Sequence, residues 1–413
     1  MSVPRYVSTR GGAPPVPFRA ALLRGLAPDG GLYVPTSVPA LPDGWDAPGP
    51  FAALAACVLA PWLEQDGLTE LVADALPFPV PVVEPGPAEP GVWVAELFHG
   101  PTLSFKDVGA RTMARLVARA RREPVTILVA TSGDTGSAVA DGFAGAPGVR
   151  VVLMYPDGGV SDVQARQLTA SRPGVVALAV AGTFDDCQRL AKEAFAAEIP
   201  GLSSANSINV GRLLPQMTYH AAAARAVPGA VVVVPSGNLG NLTAGVLARQ
   251  MGAPIAGFVA AHNGNDAFPR FLADGTEPSG ASRRTLSNAM DVGVPSNLER
   301  LRALVPDLPA LVRGETVSDD ETLATIADVQ ASTGYLADPH TAVGLTAARR
   351  LRAAGEARPL VVLATAHPAK FPDAIARATG AAPPVPPALD LPPATPTATI
   401  APDLDALAPW LGA

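Results

Sequence analysis

Lysine is scarce in this chain. Arginine supplies 27 of the 30 basic residues, and lysine occurs only at Lys106, Lys192 and Lys370. Cysteine is rarer still. Cys57 and Cys187 can form neither a disulfide framework nor a zinc-ligand set, so no metal is expected and a reducing cytoplasm fits. Charge is also sparse, at 16% of 413 residues with a formal net charge of −7. That balance argues against partners such as nucleic acid or an anionic membrane. No early apolar run approaches the roughly 20 residues that cross a bilayer. The longest, FAALAACVLAPWL at 51–63, reads as a buried helix. The opening MSVPRYVSTRGG lacks the basic-then-apolar pattern of a secretory signal. What the chain has is apolar content, 48%, enough for a large core, and length enough for two or three domains.

Residues 1–90 read as an N-terminal domain with helical pattern at 50–76, closed by a Pro-rich linker, FPVPVVEPGPAEPG, at 78–91. Over 91–380 the texture changes. Short apolar runs at 125–130, 149–156, 174–182, 230–235, 254–261 and 359–366 alternate with Ala-rich helical segments. Strands buried on both faces read this way, and the helices make the crossovers. The expected fold class is therefore α/β with mostly parallel sheets. Behind Lys106, Met113, Leu116, Val117 and Ala120 recur at helical spacing, while Arg111, Arg115 and Arg119 line another face, expected to be solvated. Ser318 and Glu321 predict a capping box opening a helix over 319–331. Residues 381–413 form a Pro-rich C-terminal tail, with 383–403 expected to lie extended on the surface.

Three loops look built for anions. TSGDTG at 131–136 follows an apolar strand and opens a helix, so backbone N–H groups and the positive helix end coincide, with hydroxyls from Ser132, Thr135 and Ser137 beside them. PSGNLGNLTAG at 235–245 repeats the arrangement. Gly237 and Gly240 allow close backbone approach, and neither a dinucleotide fingerprint nor a Walker lysine is present. SANSINVGR at 204–212 places Asn206, Ser207 and Asn209 before Arg212, whose fork suits a phosphate. Ligands of open α/β sheets sit at the carboxyl ends of the strands, so the three loops are expected to converge.

Lys106, in FHGPTLSFKDVGAR, follows a run of turn-formers, with Phe98 and Phe105 as an apolar surround. A lysine amine can lose its proton when desolvated or placed near other cations, whereas arginine stays charged. A neutral amine condenses with aldehydes. An aldehyde cofactor carrying one phosphate is pyridoxal phosphate. The five histidines are read as structural hydrogen-bonders, with His99 and His367 the exceptions to test, and Lys370 either neutralises local anions or lies on the surface.

The ordered motifs YVSTRGG (6–12), GLAPDGGLYVP (25–35), ELFHGPTLSFKD (96–107), ATSGDTGSAV (130–139), NSINVGRLLPQ (206–216), PSGNLGNLTAG (235–245), LSNAMDVGVPSN (286–297) and TAHPAKF (365–371) resemble the threonine synthase family of fold-type II pyridoxal-phosphate enzymes. The resemblance implies two α/β lobes plus an N-terminal helical domain, and pyridoxal 5'-phosphate as cofactor. It implies Lys106 as the residue that carries the cofactor. Ser236, Gly237, Asn238, Leu239 and Gly240 would hold the cofactor's phosphate, Thr365 would meet the ring nitrogen, and Asp134 would lie near the ring's 3′-oxygen. Thr131, Ser132 and Thr135 would take the substrate's carboxylate, and Asn206, Ser207 and Arg212 its phosphate. The implied reaction turns O-phospho-L-homoserine and water into L-threonine and phosphate, with monomer and homodimer both open. Two other readings remain at this point: a β-eliminating lyase of the same fold, which needs no second phosphate grip, and a non-catalytic metabolite-binding protein.

Overall fold

The apolar runs assemble into two separate parallel sheets. The computed structural model describes residues 3–63, 66–197 and 199–412. Its strands are β1 (Tyr6–Ser8), β2 (Tyr33–Pro35), β3 (Val82–Val83), β4 (Val92–Glu96), β5 (Val125–Ala130), β6 (Val149–Pro156), β7 (Val175–Val180), β8 (Leu202–Ser204), β9 (Ala230–Pro235), β10 (Ile255–His262), β11 (Val312–Thr316), β12 (Leu360–Ala364) and β13 (Ala398–Ile400). The larger sheet runs β11-β10-β9-β12-β4-β3 and the smaller β13-β7-β6-β5-β8, while β1 and β2 pair by themselves. Within the two large sheets only β3 runs antiparallel to its neighbour. Every residue of β9 and β12 is buried, which is why they read as unbroken apolar runs. Each such valine or leucine contributes about 1.5–3 kcal/mol by leaving water.

The helix Lys106–Ala120 lies between the sheets and the N-terminal segment. Val108, Met113, Leu116 and Val117 are buried, as their spacing predicts. Its arginine row departs from expectation. Arg111 donates to the Ala75 carbonyl and to Asp141, Arg115 to Asp74 and the Gly142 carbonyl, and Arg119 to the carbonyls of Asp66 and Gly67. The row is therefore a half-buried clasp at Arg111 and Arg115, reaching residues 74–75 and 141–142, while Arg119 is exposed as expected. The Ala75 carbonyl ends the helix Leu68–Ala75 without an intrahelical donor, and Arg111 meets it, a demand invisible in the arginine spacing.

Two more expectations change. The Pro-rich stretch at 78–91 is not only a linker, because Val82 and Val83 pair with β4 as the edge of the larger sheet. Pro is tolerated at such an edge, where the outward amides need no partner. The tail is largely exposed as far as 397, then enters the smaller sheet as β13, parallel to β7, and closes with the helix Leu404–Leu411. The helix Asp319–Thr333 opens with the predicted Ser318–Glu321 capping box.

Candidate active site

A cavity of about 1180 Å³ lies between the two sheets, at the carboxyl ends of β5, β8, β9 and β12. All three anion loops line it, as do Lys106 and Thr365. Convergence follows from parallel topology, since every strand of both sheets that feeds the cavity ends on the same side.

Lys106 opens its helix because the turn before it is pinned. Asp107 accepts from the Thr102 amide at 2.9 Å and the Thr102 hydroxyl at 2.6 Å, and Leu103 takes a left-handed φ of 57°. The Phe105 amide donates to the Thr365 carbonyl, and the His367 amide to the Leu103 carbonyl. These bonds stitch the turn to the end of β12. Lys106 Nζ sits 5.1 Å from the Phe105 ring centre, with its side chain 12% exposed. Phe98 packs instead against His367 and does not line the cavity. The nearest carboxylate oxygen to Nζ is Asp134 Oδ2 at 3.9 Å, and Nζ donates no hydrogen bond among the described residues. Burial pushes the Lys106 amine down to about 8, with Asp134 opposing and Lys370 and Arg212 assisting.

The loop after β9 begins the helix Gly240–Gln250 with Leu239 left-handed at φ 60°. The amides of Gly237, Asn238, Leu239 and Gly240 donate to no acceptor among the described residues. Ser236 is placed differently from expectation: its amide donates to the Ala261 carbonyl and its hydroxyl to the Val234 carbonyl, so both donors are engaged. The Asn238 side chain also turns sideways, donating to Ser207 Oγ at 2.8 Å and accepting from the Ser296 amide. A Cβ on Gly237 would stand 2.9 Å from Met290 Cα, so only glycine lets the loop lie this close to residues 289–290.

In the loop after β5 the Thr131 hydroxyl accepts from the amides of Gly133 and Gly136, and Ser137 donates to the Gly133 carbonyl. Thr131 and Ser137 thus shape the turn from within. Ser132 and Thr135 line the cavity and bond to no other side chain among the described residues. Asp134 is 3% exposed. Burial alone would raise its carboxyl. Lys370 at 2.8 Å, Lys106, and a hydrogen bond from Gln164 at 3.0 Å reverse that and hold it well below the usual carboxylate range. Lys370 is therefore no surface residue: it is fully buried and also donates to the Thr102 carbonyl.

Around the third loop, Asn206 donates to the Ala130 carbonyl, and Arg212 to the Ala205 carbonyl at 2.7 Å, while Arg212 Nε has no partner. Burial lowers the Arg212 guanidinium to about 10, which leaves it charged at neutral pH. Asn297 and the buried Arg300 hold the carbonyls of Ser207, Ile208 and Asn238, locking the second and third loops together. Sequence reasoning missed both, although Asn297 closes a quoted motif. It also missed His340, which lines the cavity. The Ala289 amide donates to its Nε2, which puts the ring proton on Nδ1, 2.6 Å from Asp338. His99 and His367 lie outside the cavity lining: His99 pairs with Glu96, and His367 caps a short turn by accepting from the Ala369 amide.

The residues present fit a phosphate-bearing aldehyde. An amine that donates no hydrogen bond and four backbone amides without acceptors among the described residues line one cavity at a helix start, with the Thr365 hydroxyl at the end of β12 between them in the sheet order.

The comparisons with known proteins agree. Residues 77–366 match the family model for pyridoxal-phosphate dependent enzymes, residues 5–76 that for the threonine synthase N terminus, and residues 341–393 that for the threonine synthase C-terminal region. Threonine synthase of Escherichia coli K12 is 41% identical over 381 residues, 87% of each chain. The crystal structure of pyridoxal-phosphate-bound threonine synthase from Brucella melitensis superposes with a TM-score of 0.89 at 35% identity, covering 99% of this chain and 98% of the other. The yeast threonine synthase structure gives 0.85 at 31%, covering 98% and 97%. The chain belongs to the threonine synthase family of pyridoxal-phosphate-dependent lyases.

Proposed function

We propose that the substrates are O-phospho-L-homoserine and water, and the products L-threonine and phosphate, with the cavity residues in the following roles. Lys106 would hold the cofactor through Nζ and, as a neutral amine, would take and return protons there. When bound, pyridoxal phosphate supplies an electron sink for charge developing at the substrate's α-carbon. The amides of Gly237, Asn238, Leu239 and Gly240 hold the cofactor's phosphate, while Ser236 and the Asn238 side chain fix the loop rather than touch it. Thr365 presents a neutral hydroxyl to the ring nitrogen. Ser132 and Thr135 bind the substrate's carboxylate on the loop that Thr131 shapes. Ser207 and Arg212 bind the departing phosphate, with Asn206 latching their turn to β5. A charged, buried guanidinium beside the leaving group favours its departure, because little water screens it.

The observation that supports this reading most is the Lys106 amine, free of hydrogen-bond partners, in the same cavity as the four free amides. No described helix is long and apolar enough to cross a membrane, and both cysteines are free. A cytoplasmic location fits two cysteines that pair with nothing among the described residues. The test is phosphate release from O-phospho-L-homoserine, with threonine identified as product. Lys106→Ala should lower that rate on the order of 10³-fold or more and abolish borohydride-stable cofactor labelling. A wild-type chain that takes up the cofactor yet releases no phosphate would sink the substrate assignment.

A further inference from the structure

Lys370 is the least expected residue of the site. It does not line the cavity, and its side chain is fully buried beneath the floor. Its Nζ lies 2.8 Å from Asp134 Oδ1 and 2.9 Å from the Thr102 carbonyl oxygen. The second carboxylate oxygen, Oδ2, faces Lys106 Nζ at 3.9 Å. Gln164 donates to Oδ1, and is itself oriented by Asn288, which donates to Gln164 Oε1 at 3.0 Å. One carboxylate therefore stands between two ammonium groups, with the shorter contact going to the residue outside the cavity.

The arrangement bears on the proton of Lys106. A buried carboxylate must be paired. If Lys106 were its only counter-ion, the amine would be held in the charged form, which cannot attack a carbonyl. We propose that Lys370 is a positioning residue: it neutralises Asp134, so that Lys106 is not fixed as the carboxylate's partner and keeps an amine able to lose its proton. The other charged and titratable groups facing this trio are Arg212 and the Asp338–His340 pair toward Lys106, and Asp107 and His367 toward Lys370. Asp338 already has His340 at 2.6 Å, and Asp107 already has Thr102, so neither replaces Asp134 as a partner for the lysines. Lysine rather than arginine at 370 fits a compact group that must reach one carboxylate oxygen and one carbonyl in a closed space.

The inference rests on Lys106 being the cofactor's anchor, and its test is independent of the substrate assignment. Full-length chain freed of cofactor is labelled with trace acetic anhydride across pH, and the peptide bearing Lys106 is quantified by mass spectrometry. Labelling should turn on with a midpoint near pH 8. Lys370→Met should move that midpoint up by about one pH unit, because an opposite charge within 4–6 Å shifts a group by about that much or more. Lys370→Arg should restore it in part. Asp134→Asn alone should lower the midpoint, which keeps the test decisive even if Lys370→Met fails to fold. The double variant Asp134→Asn/Lys370→Met should return to or below the wild-type midpoint. A double variant that stays high would mean that the site had merely loosened, and would overturn the proposal. So would an Asp134→Asn midpoint at or above that of the wild type.

Discussion

The loops after β5 and β9 share one plan, strand then glycine turn then helix, yet they differ in what the side chains do with the turn's donors. In the β5 loop a threonine hydroxyl takes up two amides, and an acidic residue, Asp134, occupies the first turn. In the β9 loop no side chain caps the helix, no acid lies in its first turn, and four amides are free. The second is poised for a dianion with no help from side-chain charge, since the helix end and amides suffice. The first engages the Gly133 and Gly136 amides, leaves those of Ser132, Asp134 and Thr135 without an acceptor among the described residues, and carries a buried negative charge, so any anion that docks there needs the compensating lysines. Similar sequence patterns thus specify different ligands through what each turn does with its own donors.

Substitutions can break or sharpen this contrast. The largest effect is expected where neither glycine loop supplies a cation. Arg212→Ala should cut phosphate release from O-phospho-L-homoserine on the order of 10²-fold while leaving the cofactor's absorbance in place. Next comes Gly237→Ala, whose Cβ would press on Met290 Cα and the Ala289 carbonyl. Overpacking of about 1–3 kcal/mol should weaken pyridoxal-phosphate binding about tenfold or more, measured by fluorescence titration. In the β5 loop the cost should fall on stability instead. Thr131→Val keeps the shape but strands two amides, and urea unfolding should report a loss of about 1–3 kcal/mol. Ser236→Ala should do least to cofactor affinity, since its hydroxyl faces the Val234 carbonyl. If Ser236→Ala matched Gly237→Ala in cofactor affinity, the division between amide and side-chain donors would be wrong.

The central strands were legible because burial on both faces leaves one signature, an unbroken apolar run. The two- to five-residue strands β1–β4, β8, β11 and β13 were not, because so short a stretch has no periodicity of its own and pairs only where a neighbour offers an edge. Lys106 and the glycine loops could be read from residue chemistry and spacing. The burial of Lys370 and its partner could not, since a lysine is buried only when a distant carboxylate waits for it, and Asp134 opens the helix that follows β5 of the other sheet. Arg300 and His340 escaped for the same reason: each is defined by the backbone atoms that a separate segment presents to it.

β13 carries a consequence for how the chain comes into being. The smaller sheet takes four of its strands from residues 125–204 and its fifth from residues 398–400, so as the polypeptide leaves the ribosome β7 waits as an open border until that late segment has emerged. An exposed border of that kind invites pairing with another molecule. Nascent chains stalled just short of residue 398 should be those most prone to stick together and most in need of a chaperone's cover.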